Sequence, residues 1–203
     1  MGAADLQARV AARHRRLATR SWPDPHPEGA LPRDEEYSRL TDPGRYGVVH
    51  SRARVWAEEL AELPDVASFA LPDGGGFRLA SSRPGTLPLL LLTRDEPFPL
   101  LDLCAARPDV VLQSLPDCGC DACDRGSDDL LDAIDETIGT VVDGPLVVLC
   151  GDGWQARWWP HGGSSSGTGR HVALMELCRR LADREDVRVP EGTEVLIGRS
   201  WLG

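Results

Sequence analysis

Lysine and asparagine are both missing from this 203-residue chain, and all 22 of its basic residues are arginine. Without lysine there can be no Schiff base on an amine side chain, no P-loop lysine and no kinase-type lysine. The bias is that of a high-GC genome. Long apolar runs are also missing. The longest, Leu87 to Leu92, is far short of the roughly 20 residues that span a bilayer, so no membrane partner is expected. No apolar stretch stands behind the N-terminal arginines, and no secretory signal is visible. The expected location is therefore cytoplasmic, where the six cysteines would stay reduced or bind metal. Positive charge is scarce too. A net charge of −10 would repel a phosphate backbone, which argues against general nucleic-acid binding.

The charge is uneven. Residues 1–20 carry five arginines against Asp5, a net +4, which leaves −14 for the remainder. Leu6, Val10 and Leu17 fall at helical spacing, so residues 1–20 read as a basic amphipathic helix. A nucleic-acid or membrane arm is the sharper reading; a helix docked on the acidic body of its own chain is the preferred one. Residues 21–36 form a linker or surface wrap, broken by Pro23, Pro25, Pro27 and Pro32, with Trp22 as its anchor. Residues 37–203 are expected to form one α+β domain.

Thr41-Asp42-Pro43 starts a helix whose inner face carries Tyr46, Val49, Ala53, Trp56 and Leu60. Strand-like runs follow at 66–71, 77–82, 87–93, 99–105 and 110–115, separated by turns such as Asp73-Gly74-Gly75-Gly76. A second helix begins near Ser127 and ends at Gly144-Pro145. Gly151-Asp152-Gly153 marks a hairpin, a Gly/Ser loop spans 162–169, and a last helix and a short strand close the chain. This order predicts a mainly antiparallel sheet, meander plus hairpin, with helices packed on it.

The most specific feature is an acidic turn with three cysteines in six residues, Cys118, Cys120 and Cys123. Three readings compete. In the first they bind a metal, most naturally zinc, which prefers thiolates but is usually closed by four protein ligands. Asp121, Asp124 and His161 are the leading candidates for the fourth, with Asp117, Cys104 and His171 behind them. In the second reading the thiols are redox-active. Eight carboxylates and only Arg125 lie between positions 117 and 136, a field that disfavours a reactive thiolate unless a cation is present. In the third the thiols simply pack as small apolar groups. Cys104, Cys150 and Cys178 read as core residues.

A second candidate is the Gly/Ser loop. It precedes a helix as an anion cradle would, with Gly167, Arg170 and His171 at the helix entrance and Trp154 and Trp158 on the neighbouring strand. A flexible surface loop is the plainer reading. No Gly-x-Ser-x-Gly elbow, His-Glu-x-x-His motif or dinucleotide fingerprint is expected, and the five histidines share no catalytic spacing.

Tyr37-Ser38-Arg39-Leu40-Thr41 with Pro43 and Arg45, the run Cys118-Gly119-Cys120-Asp121-Ala122-Cys123-Asp124, and Ser165-Ser166-Gly167 resemble an uncharacterised actinobacterial domain-of-unknown-function family. The resemblance runs from about Trp22 to Leu181. It implies a cytoplasmic bacterial protein and carries no activity, cofactor or catalytic residue. The element order is also loosely similar to secretion-chaperone-type adaptors. The expectation is a non-enzymatic domain that binds a protein partner and holds a structural zinc. The alternatives are an anion- or small-ligand-binding protein using residues 162–170, and a thiol redox sensor.

Overall fold

The computed structural model describes residues 2–27 and 30–202; Met1, Gly203, and Glu28 and Gly29 of the expected linker lie outside them. Four α-helices and nine strands are present among these residues: α1 (Ala3–Arg15), α2 (Val48–Ala61), β1 (Val66–Ala70), β2 (Gly76–Ser81), β3 (Leu89–Arg94), β4 (Leu100–Ala105), β5 (Val111–Leu115), α3 (Ser127–Asp143), β6 (Leu146–Gly151), β7 (Trp154–Trp159), β8 (Gly162–Ser166), α4 (His171–Ala182) and β9 (Glu194–Gly198). The class is α+β, as the element order implied. None of the described helices is long and apolar enough to cross a membrane.

The strands form two sheets, where one was expected. The first is the meander β1-β2-β3-β4-β5, and the second has the order β8-β7-β6-β9. Every pairing is antiparallel. Strand β3 lacks polar alternation because Leu89, Leu90 and Leu91 are all buried. Strand β6 is apolar for a related reason. Leu146 and Val148 enter the main core, while Val147 and Leu149 join a second cluster with Leu174 and Cys178 of α4. A strand buried on both faces needs apolar residues at consecutive positions.

The main core gathers Tyr46, Val49, Ala53, Trp56 and Leu60, the predicted face of α2, with Ile134 and Ile138 of α3. Leu6 and Val10 of α1 belong to the same cluster, so this helix packs as part of the body. Its basic face pairs with the acidic outer face of α2: Arg13 meets Glu58 at 2.6 Å and Glu59 at 3.1 Å, and Arg9 meets Glu59 at 2.7 Å. Leu17 stays exposed beyond the helix end.

A buried polar centre joins the three N-terminal helices. The Arg52 guanidinium donates to both carboxylate oxygens of Asp135, and Trp56 Nε1 donates to Asp135 Oδ1 at 2.7 Å. His14 is buried among them, only 3% exposed. Burial, then the nearby Arg52 charge, lowers its pKa below the ordinary histidine value.

Residues 162–166, read as part of a loop, are the edge strand β8, paired with β7 from Gln155↔Ser166 to Trp159↔Gly162. Glycine and serine are poor strand formers, but packing decides here. A Cβ at Gly163 would lie 2.2 Å from Met175 Sδ, and one at Gly162 would lie 2.7 Å from Trp159 Cζ2. Side chains from α4 and β7 fill the space that larger residues would need.

Candidate metal centre at the cysteine turn

After β5 the chain turns through residues 116–126 before entering α3. A short 3-10 turn, Asp121–Cys123, curls it back, and the Cys123 N–H donates to the Cys120 carbonyl at 3.1 Å. The curl brings the three thiols to one side. Cys118 Sγ lies 3.2 Å from Cys120 Sγ, and all three sulfurs lie within 4.8 Å of one another. Zinc–sulfur bonds of about 2.3 Å in tetrahedral geometry require sulfur separations of about 3.8 Å. Separations within 4.8 Å admit that value, so the three cysteines could hold one metal ion.

Gly119 permits the bend by close approach. A Cβ there would stand 2.7 Å from the Phe98 ring, and Tyr46 Oη donates to the Gly119 carbonyl at 3.3 Å. The turn thus rests on an aromatic floor in which Trp22, Tyr46 and Phe98 succeed one another at 5.9 and 5.7 Å between centroids.

The thiols differ in proton affinity. Burial works to raise Cys120, but hydrogen bonds from the Cys118 and Cys123 thiols and from backbone N–H groups of Cys123 and Ala122 outweigh it, so its pKa lies below the ordinary thiol value. Cys123 is pushed up to about 12, first by its hydrogen bond with Cys120, then by burial and the Cys118 thiol.

The carboxylates beside the sulfurs have other partners. Asp121 accepts from Arg39 Nε at 2.6 Å, Thr41 N at 2.8 Å and Thr41 Oγ1 at 2.7 Å. Burial opposes its ionisation, but these bonds from Arg39 and Thr41 hold it at about 2. Asp124 accepts from Trp22 Nε1 at 3.0 Å, from the Gly126 N–H at 2.9 Å and from Arg45 Nη2 at 2.8 Å. The Arg45 guanidinium sits 5.3 Å from the Trp22 ring centroid and 5.1 Å from that of Tyr46. Arginines therefore neutralise these two acids, and the inference of a cation from the acidic field loses that support. What remains is the convergence of the sulfurs themselves.

Among the described residues no fourth Cys, His, Asp or Glu joins the group. Asp121 and Asp124 are engaged as above. Asp117 is exposed, Cys104 is buried on β4, His161 follows β7 beside a cleft, and His171 opens α4. Cys178 is buried and Cys150 half-buried.

At the second candidate, Gly167 has a positive φ of 71° and packs on Gly153, and Arg170 is exposed at the α4 N-cap. Trp154 and Trp158 pack against the α4 cluster. The cleft along β7 opens on its other face, beside Arg157 and Trp159.

Two features escaped the sequence reading. The hub joining Arg39, Thr41 and Arg45 to Asp121 and Asp124 links residues about eighty positions apart, and its only trace was that both segments carried the family resemblance. The second is Ser165, whose Oγ lies 3.0 Å from His171 Nδ1. Gly163-Ser164-Ser165-Ser166-Gly167 has the Gly-x-Ser-x-Gly spacing, which was the available signal. Ser165 lies within the regular edge strand β8, however, not on a strained strand-to-helix elbow. No carboxylate within ion-pair distance orients His171 among the described residues, so the triad geometry is incomplete.

A family model described as a family of unknown function (DUF6226) matches residues 8–203, a wider span than the Trp22–Leu181 stretch that carried the resemblance. No curated protein and no solved structure matches the chain.

Proposed function

Because the chain belongs to the DUF6226 family of unknown function, we propose its role from the geometry of the cysteine turn: a non-enzymatic, protein-binding adaptor domain in which Cys118, Cys120 and Cys123 hold a structural zinc. The observation that carries this reading is the clustering of three sulfurs within 4.8 Å. The turn is also a junction. Its Asp121 N–H donates to the Arg39 carbonyl at 2.8 Å, and the Ser127 N–H just beyond it donates to the Trp22 carbonyl at 3.0 Å. A metal there fixes the conformation of the segment that clamps residues 22–45 onto the body. The fourth coordination position falls to water or to a donor from a partner, on the side where Cys123 is exposed.

Elemental analysis of protein purified without a histidine tag tests this. One zinc per chain is expected, with loss of zinc in Cys120→Ser. A folded, zinc-free protein that takes up no added zinc would overturn the metal assignment.

The 3.2 Å approach of Cys118 and Cys120 also suits a redox pair. Under peroxide that reading requires loss of thiol titre at these two positions, and full retention would dismiss it.

A further inference from the structure

A cleft of about 570 Å³ opens between α3, β5, the end of β7 and α1, in the size range of small-molecule sites. Arg157 lines it. Among the described arginines that are buried or half-buried, Arg157 alone has no carboxylate within ion-pair distance. Its hydrogen-bond partners are neutral: Nε donates to Ser164 Oγ at 2.7 Å, and Nη1 donates to the Leu112 carbonyl. Burial lowers its pKa from the ordinary arginine value. A guanidinium taken out of water without a counter-charge carries an uncompensated cost, which an anion arriving in the cleft would relieve.

The surroundings narrow the anion. The guanidinium stands 5.7 Å from the Trp159 ring centroid, and Trp159 and Pro160 give the cleft an apolar wall. Glu136 and Asp143 line the same cleft. They repel any anion, and a dianion such as phosphate more strongly than a monoanion, so a monoanion on Arg157 is the better fit. We propose that this cleft binds a small aromatic monocarboxylate, with its carboxylate on the Arg157 guanidinium and its ring against Trp159 and Pro160. With Nε held by Ser164 and Nη1 by the Leu112 carbonyl, the Nη2 donors are left for a carboxylate oxygen. The site lies apart from the cysteine turn and does not depend on metal there.

The test uses the full chain with benzoate, benzamide and inorganic phosphate as probes. Two-dimensional NMR follows the Trp159 indole N–H and the Arg157 Nε–H. Benzoate is expected to shift both signals saturably and to bind at least about tenfold tighter than benzamide, since a hydrogen-bonded charge pair contributes on that scale. Arg157→Gln keeps the stem as far as Cδ with a polar, uncharged end, and should lose the same factor. Equal binding of benzoate and benzamide, absence of saturable shifts, or phosphate binding as tightly as benzoate would each overturn the proposal. The comparison of probes on the unaltered protein decides the matter even if Arg157→Gln fails to fold.

Discussion

Replacing Asp124 with alanine removes one carboxylate that serves three donors: the Trp22 indole, Arg45 and the Gly126 N–H. The Asp124 side chain is only 2% exposed, and its arginine partner 15%. Deleting one member of a buried ion pair costs about 3–5 kcal/mol, because the other charge is stranded. Arg45 keeps a more distant contact with Asp121 at 3.8 Å and its stacking on two rings, so the lower end, about 3 kcal/mol, is expected. For a chain of this size each kcal/mol moves the melting temperature by about 2–4 °C, which gives a fall of about 6–12 °C. Circular dichroism melts measure it, and the emission of Trp22 should shift as the segment loosens. Asp117→Ala, at an exposed position of the same turn, serves as the control and should change stability by less than about 0.5 kcal/mol. An Asp124→Ala protein that melts with the wild type would show that the junction between the turn and residues 22–45 does not hold the fold together.

Two further outcomes follow from the same physics. His14, with its pKa lowered by burial and by Arg52, is neutral in the fold while the unfolded chain protonates near the ordinary value of about 6.5. Its contribution is complete above that pH and is lost as the pH falls through the folded pKa. Urea unfolding should therefore give lower stability at pH 5.5 than at 7.5, and His14→Gln should flatten the difference; a wild-type curve that is level or rises on acidification would contradict this. Among the thiols, burial pushes Cys104 up to about 12 and Cys178 up to about 11. Alkylation of the native, metal-free protein followed by mass spectrometry should mark Cys120, whose pKa lies below the ordinary thiol value, well before these two, and early labelling of Cys104 or Cys178 would refute the burial assigned to them.

The meander was legible because glycine- and proline-rich turns separate its first three strands and all five strands are short and largely apolar. The α2 face was legible from the spacing of Tyr46, Val49, Ala53, Trp56 and Leu60, all nearly inaccessible in the fold. The division into two sheets was not, since β5 and β6 are separated by α3 and nothing local says whether they pair. Strand β8 was hidden because glycine and serine are chosen there for close packing under Met175 and Trp159, a tertiary demand. The clustering of the thiols could be anticipated from their spacing. Their electrostatic setting could not, because the arginines that neutralise Asp121 and Asp124 come from residues 39 and 45.

Cobalt titration tests the metal centre most directly, because sulfur-to-cobalt charge-transfer absorption reports bound thiolates. The unaltered protein should saturate at one cobalt per chain with an intensity set by three thiolates, and each of Cys118→Ser, Cys120→Ser and Cys123→Ser should lower it by about a third or abolish binding. A protein that shows no such band, or keeps it unchanged in all three variants, would contradict the account.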